Sequence, residues 1–151
     1  MWVFSNLLAG SDSTAVVLRT LWYNILTSPS TMNGLRAELE KVKDLGKLSM
    51  PCLWSEVRHL PYLTACVNEA VRMIPPFGLP FERVVPAGGV EVCGKWFEEG
   101  TVLGMSAWVV NNHKPTFGED VAEWRPERWL CQPAKRKEME QAIMTVSKAP
   151  F

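Results

Sequence analysis

No apolar run comes near the ~20 residues that cross a bilayer; the longest, Ala15–Leu18 and Ala107–Val110, are far shorter, so no transmembrane or targeting segment is expected. An excess of one charge is also missing. Sixteen Lys+Arg balance sixteen Asp+Glu, which argues against an electrostatic nucleic-acid binder and leaves little repulsion to keep apolar surfaces apart. Cysteine is sparse. Cys52, Cys66, Cys93 and Cys131 contain no C-x-x-C pair, which argues against a zinc knuckle or thioredoxin-like motif. At that density, and without a signal peptide, buried or idle thiols are a better expectation than a disulfide framework. No G-x-x-x-x-G-K-S/T loop exists, and Gly88-Gly89 and Gly100/Gly104 do not make a dinucleotide fingerprint. His59 and His113 lack a second histidine or an acidic cluster at ligand spacing, so both are expected to be structural or surface groups.

What remains is the composition of one folded domain: 151 residues, 47% apolar, 21% charged, with seven tryptophans. Three-four spacing of apolar residues predicts one long helix over 2–27, and no capping residue precedes it. The chain stops on an apolar residue after Ser147-Lys148-Ala149-Pro150, so both ends look cut. Ser28 as cap and Pro29 at the first turn open a second helix, with Leu35, Leu39 and Val42 as its stripe and Gly46 at its end. A short helical piece is expected at 54–59, and a third long helix from Pro61 to Pro75-Pro76. Strands are expected at 81–85, 90–92 and 101–105, with a tight turn at Cys93-Gly94-Lys95. Ser106 is a candidate cap for a helix over 107–111. Residues 114–129 read as mostly irregular, and Pro133 opens a last helix to about Met144. The fold class is mainly α with a small β region of hairpins, α+β.

Four features break local rules. Ala9-Gly10-Ser11-Asp12-Ser13-Thr14 interrupts a strong apolar helix with residues that lower helix propensity. It is either a polar face with a tolerated glycine, or a carboxylate and a hydroxyl placed to relay protons through Asp12 and Ser13. Glu69 and Arg72 stand three apart, opposite an apolar face of Leu63, Val67, Ala70, Val71 and Ile74; alone, such a pair is usually solvated. Glu123-Trp124-Arg125-Pro126-Glu127-Arg128-Trp129 suggests a fixed turn anchored by aromatic and guanidinium groups. Arg83, within the apolar stretch 80–86, either snorkels outward or holds an anion such as a carboxylate.

In this order and spacing the chain resembles the cytochrome P-450 family of haem-thiolate monooxygenases, over essentially residues 2–145. Ala9–Thr14 is similar to that family's A/G-G-x-D/E-T-T/S segment, Glu69-Ala70-Val71-Arg72 to its E-x-x-R helix, and Arg125-Pro126-Glu127-Arg128-Trp129 to its R-P-E-R-F turn. Residues 92–102 are similar to the hairpin between them, and Asn112-His113-Lys114-Pro115 to H-R-D-P. The wording around Gly78–Gly89 is most similar to filamentous-fungal members of secondary metabolism.

The resemblance implies a C-terminal-half fragment of that fold, in which Glu69 and Arg72 pair with Arg128. It implies that Arg83 hydrogen-bonds a haem propionate, and that Asp12 and Ser13 are the acid–alcohol pair that delivers protons, with serine in place of the commoner threonine. It implies a small organic substrate and electrons from an NADPH-dependent reductase. The family's axial cysteine lies in F-x-x-G-x-R-x-C-x-G after the turn, and nothing here matches it; Cys131 follows Arg128 too soon. Residues 1–151 are therefore expected to be a partial domain, truncated before the haem-binding loop and inactive alone, with either Phe151 as the motif's first residue or foreign sequence after Thr145. No metal ligand is assigned. Full-length relatives are expected at the endoplasmic reticulum membrane; the location of this chain is left open. From another class, a non-catalytic binding or interaction domain that retains the scaffold is also compatible with these residues.

Overall fold

A computed structural model of the chain describes residues 2–144; the two expected endings, Phe151 as the motif's first residue or foreign sequence after Thr145, lie outside them. Among the described residues seven helices run in order: α1 Trp2–Thr27, α2 Pro29–Asp44, α3 Trp54–Val57, α4 Pro61–Met73, α5 Ala107–Asn111, α6 Lys114–Phe117 and α7 Pro133–Ala142. Between α4 and α5 lie four short strands, β1 Phe81–Val84, β2 Val90–Val92, β3 Lys95–Phe97 and β4 Val102–Met105. A 3-10 turn, Pro126–Leu130, precedes α7.

Prolines set the helix starts. Pro29, Pro61, Pro115 and Pro133 each sit in a first turn, where the missing N–H costs nothing. Ser28 occupies the N-cap of α2, but its side chain makes no cap; its Oγ accepts instead from Thr31 Oγ1 at 3.1 Å. Gly46, at φ +67°, closes the C-terminus of α2, and Lys47 N–H reaches Val42 O at 3.1 Å. Ser106 likewise stands at the start of α5 without a side-chain cap.

The strands form two separate antiparallel ladders. The sequence pattern suggests neighbouring hairpins, yet β1 pairs with β4, setting Arg83 opposite Leu103, and the β2–β3 hairpin is inserted between them. Cys93 and Gly94, both at positive φ, make its two-residue turn.

Helix α4 runs through the centre, packed on α1, α2, α5 and the 3-10 turn. Its Cys66 and Ala70 join Leu21, Ile25 and Leu35 in one apolar cluster; its Ala65 joins Phe117, Val121, Trp129 and Met139 in another. Burial departs from the expected stripes where a helix has no neighbour. In α1, Leu21 and Ile25 are buried, while Val3, Phe4, Leu7, Leu18, Trp22 and Leu26 are exposed. In α2, Leu35 is buried but Leu39 is exposed. Of the face expected on α4, Ala70 is buried, while Val67, and Ile74 just past the helix, are exposed; the remaining burial falls on Ala65, Cys66, Glu69 and Arg72. Residues 114–129, expected to be irregular, contain α6 and lead into the 3-10 turn, because Trp124, Phe117 and Val121 pin them to the core.

Candidate functional site

Glu69 and Arg72 lie one helical turn apart on α4, and both are 0% exposed. The pair is side-on and doubly bonded: Arg72 Nε donates to Oε2 at 2.9 Å and Nη2 to Oε1 at 2.8 Å. Arg72 Nη1 also donates to the Asn111 carbonyl at 3.2 Å, and its guanidinium carbon lies 5.8 Å from the centre of the Phe117 ring. Arg128 enters from the 3-10 turn and donates through Nε to Glu69 Oε1 at 2.9 Å. Its Nη1 donates to the Phe117 carbonyl and to Asp120 Oδ1, and its Nη2 to the Asp120 and Glu123 carbonyls. All five of its N–H groups have acceptors, which is how a guanidinium tolerates 4% exposure.

Glu69 receives two further donors, the Arg125 main-chain N–H at 3.2 Å on Oε1 and the Trp129 indole Nε1 at 2.9 Å on Oε2. Five hydrogen bonds thus converge on one carboxylate. Two carboxylates meet three guanidiniums: Glu69 pairs with Arg72 and Arg128, and Asp120 with Arg128 at 3.1 Å and with the half-exposed Arg125 at 2.9 Å. Burial alone would raise the Asp120 carboxyl, but the hydrogen bond and charge of Arg128, with Arg125 beside it, hold it below the ordinary carboxylate value. Gly118 permits the approach. It has φ +103°, and a Cβ there would stand 2.8 Å from Asp120 Oδ1.

The sequence-derived site residues fall into two groups. Glu69, Arg72 and Arg128 come together as one buried cluster, and the wheel that set Glu69 and Arg72 away from the apolar residues set them toward the turn. Asp12, Ser13 and Arg83 lie elsewhere. Asp12 is exposed in mid-helix, and Ser13 Oγ donates back to the Ala9 carbonyl at 2.7 Å. Arg83 is exposed on β1, with Nη1 donating to the Glu82 carbonyl at 2.7 Å. Trp129, Asp120 and Asn111 belong to the cluster although residue spacing singles out none of them for it. The signal for Trp129 was its place directly after Arg128; Asp120 and Asn111 left none. His59 accepts from Arg58 Nε at 2.9 Å, and His113 Nδ1 lies 2.8 Å from Thr116 Oγ1, both local and exposed contacts.

Comparison with known proteins decides the family. The family model described as cytochrome P-450 matches residues 1–144. The chain belongs to the cytochrome P-450 family. It is 55% identical over 145 residues to a cytochrome P-450 monooxygenase of Aspergillus flavus, covering 95% of this chain and 28% of that protein. It is 54% identical over 145 residues to the cytochrome P-450 monooxygenase pkfB of Emericella nidulans, again 95% and 28%. With the cytochrome P-450 monooxygenase mpaDE of Penicillium roqueforti the identity is 51% over 146 residues, 95% of this chain and 17% of the relative. The chain thus spans less than a third of the length of the curated cytochrome P-450 relatives it matches.

Haem is the cofactor that membership in this family implies, and the residues fit it in part. Arg83 presents an exposed guanidinium from a strand, suited to a carboxylate. Cys66 does not suit its metal. Burial in the apolar cluster, with Glu127, Glu38 and Glu69 nearby, pushes the Cys66 thiol up to about 12, the reverse of what a thiolate ligand requires. Cys131 lies directly behind the 3-10 turn in a cleft of about 410 Å³ shared with Arg125, Glu127 and Lys135, and its Sγ faces the Gln132 carbonyl. Among the described residues no group of three or more His, Cys, Asp or Glu side chains is placed to hold a metal ion.

Proposed function

We propose that this chain is part of a haem-dependent monooxygenase that inserts one atom of dioxygen into a small organic substrate, with electrons from an NADPH-dependent reductase, in fungal secondary metabolism. The observation that supports this reading is the Glu69 carboxylate, which joins the E-x-x-R helix to the R-P-E-R turn through Arg72 and Arg128. When bound, haem supplies the oxygen-activating redox chemistry. This chain's residues supply position and protons. The cluster fixes the 3-10 turn against α4, and Arg83 would hold a carboxylate of the haem. Asp12, open to solvent in α1, takes up protons, and Ser13 passes them on once its hydroxyl turns from the Ala9 carbonyl. Serine keeps that hydroxyl but lacks the methyl that would restrict its rotation.

The thiolate that would hold the haem iron is proposed to come from outside the four cysteines of this chain, so the 151-residue polypeptide alone would not carry the reaction. Full-length relatives are proposed to sit at the endoplasmic reticulum membrane; among the described residues no helix is long and apolar enough to cross one.

The test sets this chain into the full-length Aspergillus flavus relative in place of its 145 matching residues and records the reduced, carbon-monoxide-bound spectrum. A thiolate-type band is expected there, and none from the 151-residue chain supplied with haem. A longer protein that folds without any band overturns the monooxygenase reading and favours a retained scaffold that binds a partner. A thiolate-type band from the short chain overturns its inactivity.

A further inference from the structure

Asn111, the last residue of α5, is fully buried beside the ion-pair cluster. Its main-chain carbonyl accepts Arg72 Nη1, and its side-chain Oδ1 accepts the main-chain N–H of Met144 at 2.9 Å. An N–H can only donate, so Oδ1 must face Met144, and this fixes which way the amide points. Nδ2 then lies on the far side, buried and without an acceptor among the described residues. A buried amide donor without an acceptor is rare and costly, and a leucine of similar volume would fill the same space without that cost. Helix α7 ends at Ala142, and Met144 is where the chain leaves it, non-helical and partly buried. Among the described residues, the side chain that holds that exit belongs to the residue whose main-chain carbonyl Arg72 grips from the other side.

We infer that Asn111 is a positioning residue: it ties the exit of α7 to the Glu69–Arg72–Arg128 cluster through Oδ1, and holds its Nδ2 for a main-chain carbonyl of the polypeptide that covers this point in the full-length protein. The tie through Oδ1 stands on geometry alone. The Nδ2 half rests on the reading that this chain is part of a longer monooxygenase. Because Arg72 and Asn111 are bonded directly, the place of Glu69 and the direction in which the chain leaves Met144 are set by one rigid unit.

The experiment compares Asn111→Ala, Asn111→Leu and Asn111→Asp in the full 151-residue chain and in the same chain set into the Aspergillus flavus relative. Readouts are amide hydrogen exchange at Met144 and at α4, and the thiolate-type carbon-monoxide band. Alanine and leucine are expected to speed exchange at Met144 about tenfold while α4 around Glu69 stays within about twofold. Aspartate, which keeps the Oδ1 acceptor, restores Met144 protection. In the longer protein alone, aspartate also halves the thiolate-type band, because a carboxylate oxygen then faces a carbonyl. Met144 protection that survives alanine, or that leucine restores, overturns the tie. Aspartate without effect on the band overturns the role of Nδ2. Should the short chain fail to fold, the longer one decides both points. A longer protein without a band even with Asn111 present refutes the monooxygenase reading and the Nδ2 role with it, while Met144 exchange still judges the tie.

Discussion

Arg128 Nε lies 2.9 Å from Oε1 of Glu69, across 59 residues of sequence, and that contact fastens the 3-10 turn to α4. Both groups are out of water, so their attraction is only weakly screened, and removing either leaves the other buried with one charged partner fewer. Arg72 completes the arrangement with a planar fork that meets both carboxylate oxygens and a neighbouring carbonyl at once.

Lysine cannot reproduce that fork, since it offers one point charge where three directed donors are used. Arg72→Lys is expected to lower unfolding free energy by about 3 kcal/mol, read by urea denaturation. A loss below about 1 kcal/mol would place the weight of the cluster elsewhere.

Trp129 stands where the family turn usually has phenylalanine, and here its indole N–H donates to Glu69 Oε2. Trp129→Phe keeps an aromatic ring against Phe117 but deletes a hydrogen bond to a charged acceptor. The expected cost is about 1.5–3 kcal/mol, measured by thermal or chemical denaturation.

Helix α4 is capped from a distance. Glu38 of α2 accepts the main-chain N–H groups of Tyr62 at 2.7 Å and Leu63 at 2.9 Å, two of the unpaired donors of a helix start. Close packing accompanies it, for a Cβ on Gly34 would lie 2.8 Å from the Tyr62 ring. Glu38→Gln leaves one oxygen for two donors and removes the charge that the helix dipole favours. Stability should drop by about 1–2 kcal/mol, with faster amide exchange confined to the first turn of α4.

Shifted groups give the pH profile its limbs: Asp120 and Glu56 are lowered on the acid side, and Cys66 and Tyr62 are raised on the alkaline side. Asp120 binds its proton less readily folded than unfolded, so its contribution is present above its ordinary value of 3.8 and fades as pH falls through the lower folded value. Cys66 is raised from 9.0 to about 12 by burial, so its contribution is complete below pH 9 and fades as pH rises toward 12. Asp120→Asn should reduce the acid limb and Cys66→Ala the alkaline one in unfolding curves taken across pH, leaving the shares of Glu56 and Tyr62 in place. At pH 8 a thiol reagent should modify Cys52, Cys93 and Cys131, which are exposed, and spare Cys66 until the chain unfolds.

Helix boundaries were legible because prolines and Gly46 punctuate the chain at positions whose backbone demands are local. The pairing of β1 with β4 was not, since strands this short carry no register beyond what their neighbours impose. Glu69, Arg72 and Arg128 could be named from motif resemblance, but spacing alone gives the pair on α4 a solvated fate; only Asp120, Trp129 and the Phe117 and Asn111 carbonyls make its burial possible. Those partners are main-chain atoms or distant residues, which no periodicity encodes. The apolar stripe of α1 is legible as a pattern, but a stripe does not say against what it packs, and only Leu21 and Ile25 find neighbours among the described residues.

The most direct measurement is a double-mutant cycle in urea between Glu69→Gln and Arg128→Gln. Each single change should cost about 3–5 kcal/mol, and the pair together should cost at least about 2 kcal/mol less than their sum, as for two charges that satisfy one another out of water. Additivity within about 0.5 kcal/mol would contradict a turn locked to α4 by this contact.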